Sequence, residues 1–559
     1  MPRLLSSPSC FLLLIVLLFS PASNSVLEDD TVVVTKSGPI KGKHLLTATG
    51  SVTAYLGIPY AEPPLGKLRF QKPLPHKPWS EVLDATSYGN SCPQHNVSGI
   101  PDAAIWAPNT PQSENCLFLN IWMPYPRPSM PVPLLVWIHG GGFFTGTASL
   151  GVYNGAKVAS QLNGVIYVYF RAGFLGEFES PPAAPGNMAL SDQQLALNWI
   201  NENAAAFGGD PTRVTTFGHS SGAASVGFHA LSPVSQPLFA QAVMQSGSPN
   251  AVWAWMSPEV AKQRSHAAAQ MLGCAEGDSN AVVSCLQGKN VTEFVQLEKS
   301  LLQNSKFFLD LPFTPTTDGD FLPDDPQKLL EARRFKIKPI LIGFTSDEGS
   351  IFMALTFPDT DRNLFTKEKL LEGIRMMIRN ATEEDVQAVA QKYSEEGQGP
   401  ARYHWALSQA YGDYFFVCPV AEFAAKMVEA GCPVYAYYFT HHTSGSVWPE
   451  WTGAAHGSEL PYVFGNLESL LGVNKTYTEA EAALSRRMMG YWTEFARSGK
   501  PTGSAADEVE WPLYNTTQQN FFQLSTEPTQ VLQRSPVRHC PFLKTLSSKS
   551  NKDSAAPGR

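Results

Sequence analysis

Apolar and polar residues fall in blocks along the chain, and the blocks predict its elements. "PVPLLVWIHGGGFF" is an apolar run that ends in glycines. It predicts a buried strand entering a tight backbone turn. "GVIYVYF" is a second run of β-branched and aromatic residues. "LSDQQLALNWINENAAAFGG" places its apolar residues at helical intervals and stops at glycine. "RVTTFGHSSGAASVGFHALS" reads as a strand, a glycine-bounded turn and a helix. "LFAQAVMQSGS" and "KPILIGFTSDEGS" predict further strands that end in polar loops. Strands alternating with helices imply an α/β fold with a mainly parallel sheet flanked by helices. Chemistry in such sheets gathers at the carboxyl ends of the strands. The glycine-rich and polar turns fall at those ends.

Composition narrows the class. The chain has 559 residues, 43% hydrophobic and 16% charged, which is ordinary for a large folded core. No linker, charge block or repeat interrupts it, so residues 26–545 are read as one domain and residues 546–559 as a polar, irregular tail. A formal net charge of -8 argues against nucleic acid as a partner. Residues 1–25 carry Arg3, an apolar run from Phe11 to Phe19 and small residues after it, the layout of a secretory signal. No other stretch is long and apolar enough to span a bilayer, and the polar C-terminus lacks the hydrophobic tail of a lipid-anchored precursor. The expectation is a secreted chain with no membrane anchor.

An oxidising compartment favours disulfides. Beyond the leader stand Cys92, Cys116, Cys274, Cys285, Cys418, Cys432 and Cys540. Connectivity is not fixed by sequence, although local spacing favours Cys92 with Cys116 and Cys274 with Cys285. The odd number leaves one thiol over. Sequons at Asn96, Asn290, Asn380, Asn474 and Asn515 predict glycosylation. No ligand cluster with zinc or calcium-loop spacing is found, and neither metal nor cofactor is expected.

Gly218-His219-Ser220-Ser221-Gly222 puts Ser220 at the centre of a G-x-S-x-G pattern fed by the strand "RVTTF". Such a turn is strained, and the helix after it packs close to the strand, so small flanking residues are needed. Ser220 is therefore the predicted nucleophile, and Ser221 offers its backbone N–H to an oxyanion. Ser221 as nucleophile would lack the flanking glycine register. The triplet Gly140-Gly141-Gly142 follows a strand and precedes the elbow, where this fold class places its second oxyanion loop. Gly141 and Gly142 are the expected donors.

Several stretches together resemble one family. "AYLGIPYAEPPLGKLRF", "SENCLFLNIW", "WIHGGGF", "APGNMALSDQQLALNWI", "GGDPTRVTTFGHSSGAASV", "TSDEGSIF" and "VWPEWTGAAHGSELPYVFG" are similar to the carboxylesterase/cholinesterase family, over nearly the whole mature chain. The resemblance is closer to vertebrate cholinesterases than to liver-type carboxylesterases. It implies the α/β-hydrolase fold. It also implies Glu348 in "TSDEGS" as triad acid and His456 in "AAHGSELP" as base, giving the chain order Ser220, Glu348, His456. The residues alone could only shortlist these two. The implied chemistry is acyl transfer from a small ester to water through an acyl-enzyme. The resemblance further pairs Cys418 with Cys540, leaves Cys432 free, and implies a monomer or a homodimer through a C-terminal helix within residues 521–543.

Substrate choice is less sharply drawn. Trp106, in "IWAPNT", matches the tryptophan on which cholinesterases hold the choline head group, a use of the aromatic face for a quaternary ammonium. Trp253 resembles an acyl-pocket tryptophan. Leu309 and Leu311 fall where acyl-pocket residues are expected, and Phe352 follows "DEGSI". Departures weaken the choline reading. The family places Glu before the nucleophile and Ala after it, and this chain has His219 and Ser221. "YFRAG" stands in place of N-Y-R-x-G, and no acidic residue matches the mouth of the cholinesterase gorge. The expectation is a broad esterase for small esters, with choline esters left open. The competing class is a non-catalytic, cholinesterase-like adhesion module, which the complete triad disfavours.

Overall fold

The computed structural model of the chain describes residues 29–96, 103–161, 163–358, 360–503, 509–533 and 535–553. The expected signal segment lies outside these residues. Eleven strands form one central sheet. In chain order they are β1 (Lys43–Thr47), β2 (Gly50–Pro59), β3 (Phe118–Tyr125), β4 (Val132–Ile138), β5 (Gly164–Val168) and β6 (Gly209–His219). There follow β7 (Gln241–Gln245), β8 (Ile340–Thr345), β9 (Val434–Phe439), β10 (Phe522–Leu524) and β11 (Gln530–Val531). The spatial order is β1-β2-β3-β5-β4-β6-β7-β8-β9-β10-β11. Pairing is parallel from β5 through β10 and antiparallel at both edges.

The central strands are buried on both faces, which is why they read as unbroken apolar runs. Successive side chains still point to opposite sides. Leu134, Val136 and Ile138 enter one core, and Leu135 and Trp137 the other. Helix α1 (Met188–Phe207) brings Leu190, Leu197 and Ile200 to the first core, and α2 (Ser221–Leu231) adds Ala223 and Val226. Gly208 caps α1 in the left-handed conformation at φ 90°, the stop that the sequence predicts. Three further helices bear on the site or its margins: α3 (Ser350–Thr356), α4 (Cys418–Glu429) and α5 (Glu479–Ser498). The last covers the second core with Leu484, Met488, Trp492 and Phe495.

Register aligns the strand ends. Ile138 pairs with Gly218, His219 with Gln245, and Gln245 with Gly343. The loops after β4, β6, β7 and β8 therefore leave the sheet side by side.

Disulfides join Cys92 to Cys116, Cys274 to Cys285 and Cys418 to Cys540, and Cys432 is a free, buried thiol. All five sequon asparagines are exposed. The C-terminus differs from expectation. Residues 522–524 and 530–531 are strands, because "FQL" finds a parallel partner in β9. The terminal helix α6 spans Cys540–Asp553 and so runs into the segment expected to be irregular. No helix among the described residues is long and apolar enough to cross a membrane.

Candidate active site

Ser220 sits at the turn between β6 and α2 with φ 56° and ψ -124°, a backbone state that costs a non-glycine residue energy. Its N–H donates to the Gln245 carbonyl at 2.8 Å, which anchors the turn on β7. The flanking glycines follow from contact. A Cβ on Gly222 would lie 2.1 Å from the Ile138 carbonyl oxygen, and one on Gly218 would lie 2.5 Å from the Gly222 backbone. The helix can approach the strands only without side chains there. Ser221 is buried as the first residue of α2, where orphan backbone donors collect at a helix N-terminus.

Glu348 and His456 are far apart in sequence, and a short bridge brings them together. The Asp347 N–H donates to the Ala454 carbonyl at 3.1 Å, and the Ala454 N–H returns a bond to Asp347 Oδ2 at 3.1 Å. His456 Nδ1 then donates to Glu348 Oε2 at 2.5 Å. The other carboxylate oxygen accepts from Ser246 Oγ at 2.5 Å and from the Thr345 N–H at 2.8 Å. Burial pushes Glu348 up to about 7 against these donors. Burial pushes His456 down to about 3, so the resting imidazole is neutral and able to take a proton.

Aromatic rings hold the imidazole. Ring centroids lie 4.5 Å from Phe416, 5.4 Å from Phe352 and 4.4 Å from His219. Phe352 and Phe416 are stacked on each other at 5.3 Å. His219 is buried, its Nε2 has no hydrogen-bond partner among the described residues, and burial keeps it well below the ordinary histidine range. It is a neutral group.

One cavity of about 210 Å³ gathers the predicted residues. Ser220, His456, Gly141, Gly142, Trp106, Trp253, Leu309, Leu311 and Phe352 all line it. Glu348 stands behind His456, and Ser221 lies beneath the elbow. Among the described residues, no Asp, Glu, Lys or Arg lines this cavity. Trp106 is half-buried, with Tyr153 at 6.4 Å between centroids. Trp253 donates its indole N–H to the Phe415 carbonyl at 2.7 Å.

Sequence reasoning missed Ser246, Phe416, Tyr153 and Phe144. Ser246 was visible only as a serine after a predicted strand. Phe416 comes from a π-helical stretch, Asp413–Val417, whose extra residue changes which side chain faces the cavity. A 3.6-residue reading does not reveal such a stretch.

The chain is similar to known proteins over most of its length. The model of the carboxylesterase family matches residues 29–543. The chain is 40% identical to the cholinesterase of Mus musculus over 551 residues, covering 96% of this chain and 90% of that protein. It is 42% identical to the acetylcholinesterase of Bungarus fasciatus over 521 residues, covering 91% and 85% respectively.

Proposed function

We propose, for a chain that belongs to the carboxylesterase family and is a serine carboxylic ester hydrolase, that it acts on a broad range of small esters and turns over neutral esters about as well as choline esters. Ser220 is the nucleophile of this reading. His456 takes the Ser220 proton as the oxygen attacks the ester carbonyl, and Glu348 steadies the imidazolium. The backbone N–H groups of Gly141, Gly142 and Ser221 stabilise the oxyanion, where one lost donor costs about 3 kcal/mol. His456 protonates the leaving alcohol, and then draws a proton from water as it attacks the acyl-enzyme.

The observation that carries the substrate reading is the uncharged cavity lining. A cationic head group would find aromatic faces at Trp106 and Tyr153 but no carboxylate among the described residues of the wall. Neutral and cationic esters of one shape are then treated alike. Leu309 and Leu311 leave room for acyl groups larger than acetyl. The test is kcat/KM for butyrylcholine against its uncharged isostere 3,3-dimethylbutyl butyrate, with Ser220→Ala as blank. A ratio near one supports the reading. A ratio above about tenfold, or 1.4 kcal/mol of transition-state preference, would overturn it. Equal rates for the enzyme and the Ser220→Ala blank would remove Ser220 from its role.

The same reading makes the protein secreted and glycosylated. The leader pattern, three disulfides and five exposed sequons support it. Expression in animal cells should deliver protein to the medium, with a mass that falls on N-glycosidase treatment. Retention inside the cell at unmodified mass would contradict it.

A further inference from the structure

A second cavity, of about 350 Å³, lies directly behind the acyl side of the active-site cavity. The two share Trp253, Leu309 and Leu311 as a common wall. Neighbouring residues of the π-helical stretch divide between them, Phe415 lining the rear cavity and Phe416 the front one. The wall is one residue thick. Leu309 holds φ 53°, a left-handed backbone that a leucine keeps only under constraint.

The rear cavity is aromatic and rich in donors. Trp255, Phe307, Phe308 and Tyr414 supply ring surface. Arg264 and Arg379 also line it, and both donate to a single oxygen, Oδ1 of Asp310, the first at 2.5 Å. Arg264 also donates to the Leu311 carbonyl, which ties the wall to the ion cluster. Two guanidinium groups face one carboxylate, so the cluster carries a net positive charge. The indole N–H of Trp255 is buried with no acceptor among the described residues. Unused donors, excess cation and a ring-lined space of this volume suit an acceptor-bearing organic anion.

We propose that the rear cavity is a binding site for aryl or alkyl carboxylates, with the carboxylate on the Arg264–Arg379 pair and the apolar body against Trp255 and Phe307. This is the chemical class of acid that ester hydrolysis releases, one wall away. The front cavity, with no Lys or Arg among its described lining residues, has no comparable place for it.

The probes are 4-phenylbutyrate and its neutral isostere 4-phenylbutyramide, titrated into the full chain by calorimetry at low ionic strength. The carboxylate should bind about tenfold more tightly than the amide or better. Arg379→Gln, at a half-exposed side chain, should weaken the carboxylate by about fivefold or more and level the two ligands. Arg379→Lys should recover part of the loss, because it keeps the charge. Val260→Trp should fill the cavity and remove both ligands. Phe144→Ala, which touches only the front cavity, should leave the affinity within about twofold. Absence of binding, equal affinity for acid and amide, or sensitivity to Phe144→Ala without sensitivity to Arg379→Gln would overturn the proposal. The last result would put the ligand in the front cavity.

Discussion

Replacing Ser246 by alanine removes one hydrogen bond from the carboxylate that His456 leans on. The bond runs 2.5 Å from Ser246 Oγ to Glu348 Oε1, and both residues are buried. A hydrogen bond to a charged acceptor is worth about 1.5–3 kcal/mol. At about 1.4 kcal/mol per pKa unit, its loss raises the carboxylate by about one to two units. Burial already holds Glu348 at about 7, so Ser246→Ala should carry it to about 8–9. The sign is fixed by which form works. In the proposed mechanism the ionised carboxylate stabilises the imidazolium, so activity is present above the pKa and is lost as pH falls through it. The acid limb of kcat/KM, which reports the Glu348–His456 pair as a unit, should move up by the same one to two units, roughly. The high-pH plateau should fall only a few fold, roughly, since His456 and the Thr345 N–H still hold the carboxylate. The assay is hydrolysis of p-nitrophenyl butyrate from about pH 5.5 to 9.5, with the limb fitted separately from the plateau. Ser246 has φ 53°, a backbone strain that alanine keeps because it too carries a Cβ. Ser246→Gly removes the same hydroxyl without that strain and should shift the limb equally. A limb that stays within about 0.3 units in both variants would refute the reasoning.

Two further substitutions probe the walls of the cavity. His219→Glu places a carboxylate beside a bound cation. At about 6 Å and an effective dielectric near 20, the attraction is about 3 kcal/mol, so preference for butyrylcholine over its neutral isostere should rise ~10- to 100-fold at pH 8. An unchanged ratio would show that residue 219 does not face the head group. Leu311→Phe narrows the acyl side and should cut kcat/KM for butyrate esters about tenfold relative to acetate esters; equal losses for both would assign Leu311 a merely structural role.

Local signals in the chain were legible where one residue type is demanded by contact. The elbow glycines could be read because Gly222 has the Ile138 carbonyl where its Cβ would be. The buried strands could be read because parallel strands covered on both faces need apolar residues throughout. Glu348 and His456 were harder. Their meeting depends on hydrogen bonds between Asp347 and Ala454, in two loops distant in sequence, and no local pattern encodes that pairing. Resemblance, rather than spacing, singled them out. Ser246 and Phe416 escaped for related reasons. One acts through a partner 102 residues away, and the other depends on a π-helical offset. The C-terminal strands went unread because their identity comes from β9 rather than from their own short sequence, and the helix expected within residues 521–543 begins only at Cys540.

The Cys418–Cys540 disulfide closes a covalent ring with a sequence separation of 122 residues. His456 lies inside this ring, and Ser220 and Glu348 lie outside it. On loop-entropy grounds such a closure is worth about 5 kcal/mol. A single backbone cut within the ring leaves one molecule with its base still tethered to its nucleophile. Inside the ring, parting base from nucleophile takes both a cut and reduction of this disulfide, whereas between residues 286 and 417, which no disulfide spans, a single cut severs the covalent link by itself.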